Sequence, residues 1–224
     1  MSGGKSCRKG TPQGGVISPL LANLYMNRFL KFWRVKECGK SFRAQVVNYA
    51  DDFVILSRGR AVEALAWTRA VMTRLGLTLN EAKTSVRDAR AEGFDFLGYT
   101  FGPRYARDGE RYPGARPSMK SLTRIKGKIG DLLRPCETGA WPQVRDRLNR
   151  LLGGWSAYFG YGTLNAAYRS VDRHVCDRVR RFLNRRAKRG GRGAREYSWG
   201  EIFGKLGVQR LTRDKPAAPA VSLT

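Results

Sequence analysis

The chain has 224 residues, with 43 Lys and Arg against 18 Asp and Glu, which gives a formal net charge of +25. Hydrophobic residues make up 42% and aromatic residues 11% of the chain, enough for a buried core, so the composition excludes wholesale disorder. A charge of this size attracts polyanions, which leaves nucleic acid or an anionic membrane surface as the expected partner.

Membrane insertion and secretion are not expected from this sequence. No run approaches the roughly 20 apolar residues that span a bilayer, and the polar N-terminal region has no apolar stretch typical of a signal peptide. The four cysteines are scattered, without a C-x-x-C pair, which favours a reduced compartment and gives no zinc site. We therefore expect a cytoplasmic protein associated with the nucleoid or with a ribonucleoprotein.

The charge divides the chain unevenly. Residues 1–103 carry a net +8 and residues 104–224 a net +17. The break falls in a stretch rich in Gly, Pro and Arg, which predicts a linker over 103–117. The predicted domains are 1–102, 118–214 and a flexible tail over 215–224.

The first domain has an α+β pattern. Ser18 followed by Pro19 predicts an N-cap and a helix that continues to about Val35, and a second helix is predicted over Ala61–Leu75. Two β-prone runs, Ala44–Val47 and Phe53–Leu56, predict a hairpin with polar residues at its turn.

The second domain has an all-helical pattern. Apolar residues recur at helical spacing in three segments, bounded by Ser, Pro and Asn residues. The predicted helices run from Ser118 to about Leu133, from Pro142 to about Tyr158, and from Asn165 to about Arg189.

The adjacent carboxylates Asp51 and Asp52 are the residues most indicative of chemistry. Oxygen ligands of this kind suit Mg²⁺, and two such ions activate a hydroxyl and stabilise a leaving pyrophosphate. An Asp-Asp turn alone is weak evidence, because Asp is common in turns. The upstream run from Gly10 to Asn23 adds glycines that allow close backbone approach, the amide of Gln13, and a helix N-terminus that suits a phosphate.

Together these motifs resemble the reverse transcriptases encoded by bacterial group II introns, the intron maturases. The resemblance extends from about Gly10 to Leu211. It rests on four ordered segments, which are the Pro-Gln-Gly-Gly run from Pro12, Tyr49-Ala50-Asp51-Asp52, Leu79 to Thr84, and Phe94 to Tyr99. It also rests on a helical signature from Leu148 to Phe159. The resemblance implies an α+β fold in which a partial palm of antiparallel hairpins and helices precedes an all-α thumb, also called the maturase region.

The resemblance also implies roles for individual residues. Asp51 and Asp52 would bind catalytic Mg²⁺, and Lys83 would lie near the departing pyrophosphate. The residues implied at the nucleotide and template are Pro12, Gln13, Gly14, Gly15 and Asn23, and those implied in a primer grip are Phe96, Leu97 and Gly98. Two simpler interpretations stay open: Lys83 is an ordinary exposed lysine, and the Phe96–Gly98 segment packs in the core of a hairpin.

One expected carboxylate is missing. The family's palm has a further aspartate upstream of the Pro-Gln-Gly run, whereas the first acidic residue here is Glu37. The two-metal site is therefore incomplete, and the family's fingers are also absent. We expect the chain to correspond to the C-terminal half of the enzyme, to be inactive alone, and to have a missing N-terminal half as a possible partner.

A basic run near the end of the third helix predicts RNA binding. Residues 178–195 contain nine basic residues and no acidic ones. The candidates are Arg178, Arg181, Arg185, Arg186, Lys188 and Arg189.

Two functions follow from these observations. The first is an RNA-directed DNA polymerase fragment that binds intron RNA, an RNA template with a DNA primer, and dNTP. The second is a non-catalytic RNA-binding maturase module that assists intron folding and splicing.

Overall fold

The computed structural model describes residues 16–106, 108–187 and 197–212. The chain divides into two compact units, Met1–Arg87 and Asp88–Thr224. Across the described residues, every helix is too short or too polar to traverse a bilayer.

The first unit combines a β-hairpin with helices, as the sequence predicts. Its elements are α1 (Ser18–Val35), α2 (Cys38–Ser41), β1 (Ala44–Tyr49), β2 (Asp52–Ser57) and α3 (Ala61–Arg74). The predicted N-cap is wrong by one residue: Ile17 occupies the cap position and Ser18 is already helical, because Pro19 fits at either of the first two helical positions.

An aromatic cluster forms the core of the first unit. The ring of Phe29 lies 5.3 Å from that of Phe53 and 6.0 Å from that of Trp67, and Trp33 packs edge-on against Trp67 at 5.5 Å. These contacts join α1, β2 and α3, and they bury one face of the hairpin. The opposite face carries Val47, Tyr49 and Leu56, which remain exposed.

The second unit begins with a three-stranded antiparallel sheet of β3 (Phe94–Phe96), β4 (Tyr99–Tyr105) and β5 (Arg111–Pro117). The predicted linker over 103–117 is therefore wrong, because most of that stretch lies in paired strands. Its prolines are compatible with strands here. Pro113 and Pro117 lie on the edge strand β5, and Pro103 lies beyond the last residue of β4 that pairs with β3.

Helices build the rest of the second unit, as predicted. They are α4 (Met119–Leu132), α5 (Trp141–Tyr158) and α6 (Asn165–Arg186), followed by a π-helical turn over Glu201–Lys205. Ser118 caps α4, since its hydroxyl accepts a hydrogen bond from the Ser121 amide. The fully buried side chains of the core come from all of these elements: Ile129, Val144, Leu148, Leu152, Val171, Val175, Val179 and Ile202.

A buried aspartate fixes the segment that follows the helices. Asp172 on α6 is fully buried and accepts hydrogen bonds from the amides of Leu211 and Thr212, each at 2.9 Å, and from the Thr212 hydroxyl at 2.6 Å. The carboxylate thus satisfies two backbone donors that no helix or strand would satisfy.

Candidate functional site

The Asp51–Asp52 pair lies at the tip of the first hairpin. Tyr49 pairs with Asp52 across the strands, which leaves Ala50 and Asp51 as a two-residue turn, and Ala50 has a positive φ of 52°. The Asn48 side-chain amide donates to the Ala50 carbonyl at 3.0 Å and steadies the turn. Both carboxylates are exposed to solvent, so the hairpin presents them outward.

The carboxylate pair fits one mode of magnesium binding. Mg²⁺ in proteins is often held by one or two carboxylates together with water and substrate phosphates, and Asp51 and Asp52 supply two. Within ranges 16–106, 108–187 and 197–212, no cluster of three or more His, Cys, Asp or Glu side chains is close enough to hold a metal. The pair therefore suits an ion that is also held by a substrate.

Of the other residues predicted for nucleotide binding, two are exposed residues of the first unit and four fall outside the described residues. Lys83 is exposed in a turn, and within the described part of the first unit no ion pair joins its ammonium to Asp51 or Asp52. Its segment is anchored through Glu81, whose carboxylate pairs with Arg69 of α3 at 2.6 Å. Asn23 is exposed on α1, and Pro12, Gln13, Gly14 and Gly15 fall outside the described residues.

The Phe96–Gly98 segment forms the tight turn between β3 and β4. Phe96 pairs with Tyr99, and the two turn residues, Leu97 and Gly98, have positive φ values of 49° and 77°. Positive φ at both central residues is what a type I′ hairpin turn requires. The turn packs on the helices of the same unit: Gly98 lies against Ser121 of α4 and Phe159, which follows α5.

Packing explains why residue 98 is glycine. A Cβ there would approach the Ser121 hydroxyl oxygen to 3.0 Å and the Phe159 ring to 3.2 Å. The interpretation of Phe96–Gly98 as a packed hairpin therefore has direct structural support. A primer-grip role for the same turn stays a prediction.

The arginines predicted to bind RNA fall into two groups on α6. Arg178 donates to the Gly130 carbonyl at 2.9 Å, and Arg186 donates to the carbonyls of Thr138 and Gly139 at 2.9 and 2.7 Å. Arg181 and Arg185 are exposed, one helical turn apart. Lys188 and Arg189 lie outside the described residues. Arg186 is exposed as well, so Arg181 and Arg185 differ from it in having no hydrogen bond or ion pair to other described residues.

A basic groove lies between α4 and α5, at the end where the Leu97–Gly98 turn packs. It has a volume of about 440 Å³. Arg124 and Lys128 line it together with apolar residues such as Ile125 and Leu151, and no acidic residue is among its lining residues. The groove is completed by Gly154, Trp155, Tyr158 and Phe159.

Sequence reasoning missed this groove, although one signal was present. Lys120, Arg124 and Lys128 recur every four residues on α4, on a different side of the helix from the buried Leu122 and Ile129. That spacing places three cations on one exposed face of the helix. The turn and the glycine of α5 that complete the groove are distant in sequence, so only the structure brings them together.

Two family models match the chain, one in each half. The model described as reverse transcriptase (RNA-dependent DNA polymerase) matches residues 1–101, and the model described as group II intron, maturase-specific domain, matches residues 122–198. The chain thus contains a region of the reverse transcriptase family followed by a maturase-specific region. The chain belongs to the group II intron reverse transcriptase/maturase family, as the motifs predicted.

The chain is also similar to a curated protein, Protein YkfC of Escherichia coli (strain K12). The two are 31% identical, and the match covers 56% of this chain and 42% of that protein. The chain therefore spans less than half the length of this relative.

Proposed function

We propose that the second unit binds RNA and template–primer duplexes through their sugar–phosphate backbones. The observation that carries this proposal is the groove between α4 and α5, which Arg124 and Lys128 line together with apolar residues and without an acidic one. A cationic side chain that has no ion pair within the protein can bind a phosphate and displace the counterions condensed on the nucleic acid. The release of these counterions favours binding.

The distribution of ion pairs supports the same proposal. Several acids of the second unit already have partners: Asp131 pairs with Arg134 at 2.6 Å, Glu137 pairs with Arg147 at 2.7 Å, and Asp172 is buried. Arg124, Lys128, Arg181 and Arg185 have no ion pair within the described residues. These four cations are thus available to phosphates on exposed helix faces.

For the first unit, we propose a role in nucleotidyl transfer as part of a complete RNA-directed DNA polymerase. Asp51 and Asp52 would hold Mg²⁺, which supplies charge stabilisation to phosphoryl oxygens when it is bound. Lys83 would lie near the triphosphate of the dNTP, where a cation favours departure of pyrophosphate. In this proposal the hairpin and the helical unit correspond to palm and thumb, and intron RNA, template and primer are the macromolecular partners.

A second candidate is a maturase module that binds intron RNA without chemistry. This candidate is favoured by the small number of metal ligands at the hairpin tip. Two-metal nucleotidyl transfer holds two ions at once, and among the described residues the tip offers only two carboxylates. Both candidates share the basic groove and differ in whether Asp51 is needed.

Binding is tested by fluorescence anisotropy with the full chain, a labelled structured RNA and an RNA/DNA template–primer, over a range of salt concentrations. The double substitution Arg124→Gln with Lys128→Gln should weaken binding about tenfold or more and reduce the slope of log K against log salt by roughly two. The matched control is Arg169→Gln with Arg173→Gln on α6, an exposed pair with the same spacing and charge. Equal losses in both variants would contradict the proposal, since they would indicate general charge attraction.

Chemistry is tested by primer extension with Mg²⁺, dNTPs and an RNA template. We expect no extension by the chain alone, because two carboxylates supply fewer ligands than two ions use, and we expect Asp51→Ala to leave RNA binding unchanged. Extension that Asp51→Ala abolishes would overturn the expectation of inactivity and favour the polymerase over the binding module. Extension that appears only when a polypeptide carrying the fingers and a further palm aspartate is added would show that the chain acts together with such a segment.

A further inference from the structure

The Leu97–Gly98 turn has a backbone conformation that its own sequence does not favour. Type I′ turns are usually formed by Asn-Gly or Asp-Gly, because those residues tolerate positive φ at the first central position. Leucine is sterically disfavoured there, yet Leu97 has a φ of 49°. Such conformations persist where the surrounding structure holds them, and they are often found at functional sites.

Hydrogen bonds from the helical part of the second unit hold both carbonyls of this turn. The Tyr158 hydroxyl donates to the Leu97 carbonyl at 3.0 Å. The Ser121 hydroxyl and the Ser118 amide each donate to the Gly98 carbonyl at 2.8 Å. The turn is therefore attached at two adjacent carbonyls, one facing the end of α5 and the other the start of α4.

The attachment to α5 is reciprocal. The Tyr99 hydroxyl donates to the Tyr158 carbonyl at 2.9 Å, while Tyr158 donates to Leu97. The two tyrosine rings lie 6.2 Å apart, and the Tyr99 ring lies 4.9 Å from that of Phe159. Two long-range hydrogen bonds in opposite directions thus join the first residue of β4 and the turn before it to the last residue of α5.

Tyr158 differs from the neighbouring aromatic residues in its exposure. Phe159 is 6% exposed, whereas Tyr158 is 59% exposed. The Tyr158 ring lines the same groove as Arg124 and Lys128. A side chain this exposed contributes little to the core, so its hydroxyl contributes mainly to where the turn lies relative to the groove.

We propose that Tyr158 is a positioning residue that fixes the Leu97–Gly98 turn at the end of the basic groove, so that the turn and the two cations form one surface for a nucleic-acid strand. The inference rests on the proposed function of that groove. It adds that the shape of the binding surface depends on a hydroxyl that carries no charge and need not contact the nucleic acid.

The test is Tyr158→Phe in the full chain, which keeps the ring and removes only the hydroxyl. The matched control is Tyr161→Phe, because Tyr161 is 73% exposed and its hydroxyl has no recorded hydrogen bond among the described residues. Amide hydrogen exchange at Ser118 reports the turn directly, since that amide donates to the Gly98 carbonyl. We expect Tyr158→Phe to speed this exchange about tenfold, to weaken template–primer binding several-fold and to leave the melting temperature unchanged, with no effect of the control.

The salt dependence separates positioning from direct phosphate contact. Tyr158→Phe removes no charge, so the slope of log K against log salt should stay at the wild-type value, whereas Arg124→Gln with Lys128→Gln lowers it. In the background of those two substitutions, Tyr158→Phe should have a smaller effect than in the wild type, because residues that form one surface are not additive.

Three outcomes would overturn the proposal: wild-type affinity in Tyr158→Phe, an effect fully additive with loss of the two cations, or a clear fall in melting temperature that assigns the hydroxyl to stability. Failure of the proposed function looks different. In that case the wild-type chain does not bind the duplex, or the Arg124 and Lys128 substitutions weaken binding no more than the control substitutions of Arg169 and Arg173. Amide hydrogen exchange at Ser118 still reports whether Tyr158 holds the turn.

Discussion

Gly98→Ala tests whether the backbone conformation and the packing of the β3–β4 turn together require glycine. At a φ of 77° an alanine adopts a left-handed conformation that costs about 1–2 kcal/mol. The new Cβ also meets the Ser121 hydroxyl oxygen at 3.0 Å and the Phe159 ring at 3.2 Å, and overpacking of this kind costs about 1–3 kcal/mol. Alanine also lowers the conformational entropy of the unfolded chain, and this offsets about 0.5–1 kcal/mol of the destabilisation. We therefore expect a net destabilisation of about 2–3 kcal/mol.

The assay is thermal unfolding followed by tryptophan fluorescence, with Trp155 beside Phe159 as a local reporter. A loss of this size corresponds to a fall in melting temperature of roughly 5–10 °C. Gly127→Ala is the matched control, because Gly127 lies in α4 with open space at its Cβ position, and alanine there should stabilise the helix by about 1 kcal/mol. If Gly98→Ala were as stable as the wild type, neither the left-handed conformation nor the packing of the turn would require glycine at this position.

Two further predictions concern groups on α6. Asp172→Ala should cost about 2–6 kcal/mol, because it leaves the amides of Leu211 and Thr212 without an acceptor at about 1–3 kcal/mol each. Asp177→Ala on the same helix should change stability by less than about 1 kcal/mol in the same denaturation assay, since Asp177 is exposed and only loosely paired; equal costs would refute the anchoring role of Asp172. Burial lowers the pKa of His174, so the unfolded chain binds this proton at a higher pH than the folded chain. Stability should therefore fall as pH drops below about 6.5, and His174→Gln should weaken that dependence in denaturation curves measured from pH 7.5 to 5.

Regular apolar spacing made the helices predictable. On α5, Val144, Leu148 and Leu152 follow each other at intervals of four residues, and all three are fully buried. The first hairpin was predictable for a similar reason, since apolar runs flank a polar turn. In both cases burial on one face dictates the residue pattern, and the pattern can be read without knowledge of the partner element.

The β4–β5 pair was not predictable from the same rules. Residues 103–117 are rich in Gly, Pro and Arg and poor in apolar side chains, which is typical of a connection. The strands form nevertheless, because β5 is an edge strand and tolerates Pro113 and Pro117. The pairing is stabilised by the backbone ladder from Tyr99–Pro117 to Tyr105–Arg111, which leaves little trace in the sequence.

The groove shows a different limit of sequence reasoning. Asp51 and Asp52 are adjacent in the chain, so a motif identifies them. The groove joins the turn at Leu97, the cations of α4 and Gly154 of α5, and no short motif contains all three. Its residues became recognisable only once tertiary packing had placed them side by side.

If the groove binds nucleic acid as proposed, the two faces of α4 separate stability from binding. One face buries Leu122, Ile125 and Ile129 in the core, and the other presents Arg124 and Lys128 to solvent. The apolar face supplies the burial that holds the helix in place, so neutralising the cations should remove phosphate contacts without opening the core. A less basic chain also repels itself less, which should slightly increase the stability of the fold. A variant of Arg124 and Lys128 that lost binding and also melted at a markedly lower temperature would contradict this separation, since it would assign the two cations to the fold rather than to a partner.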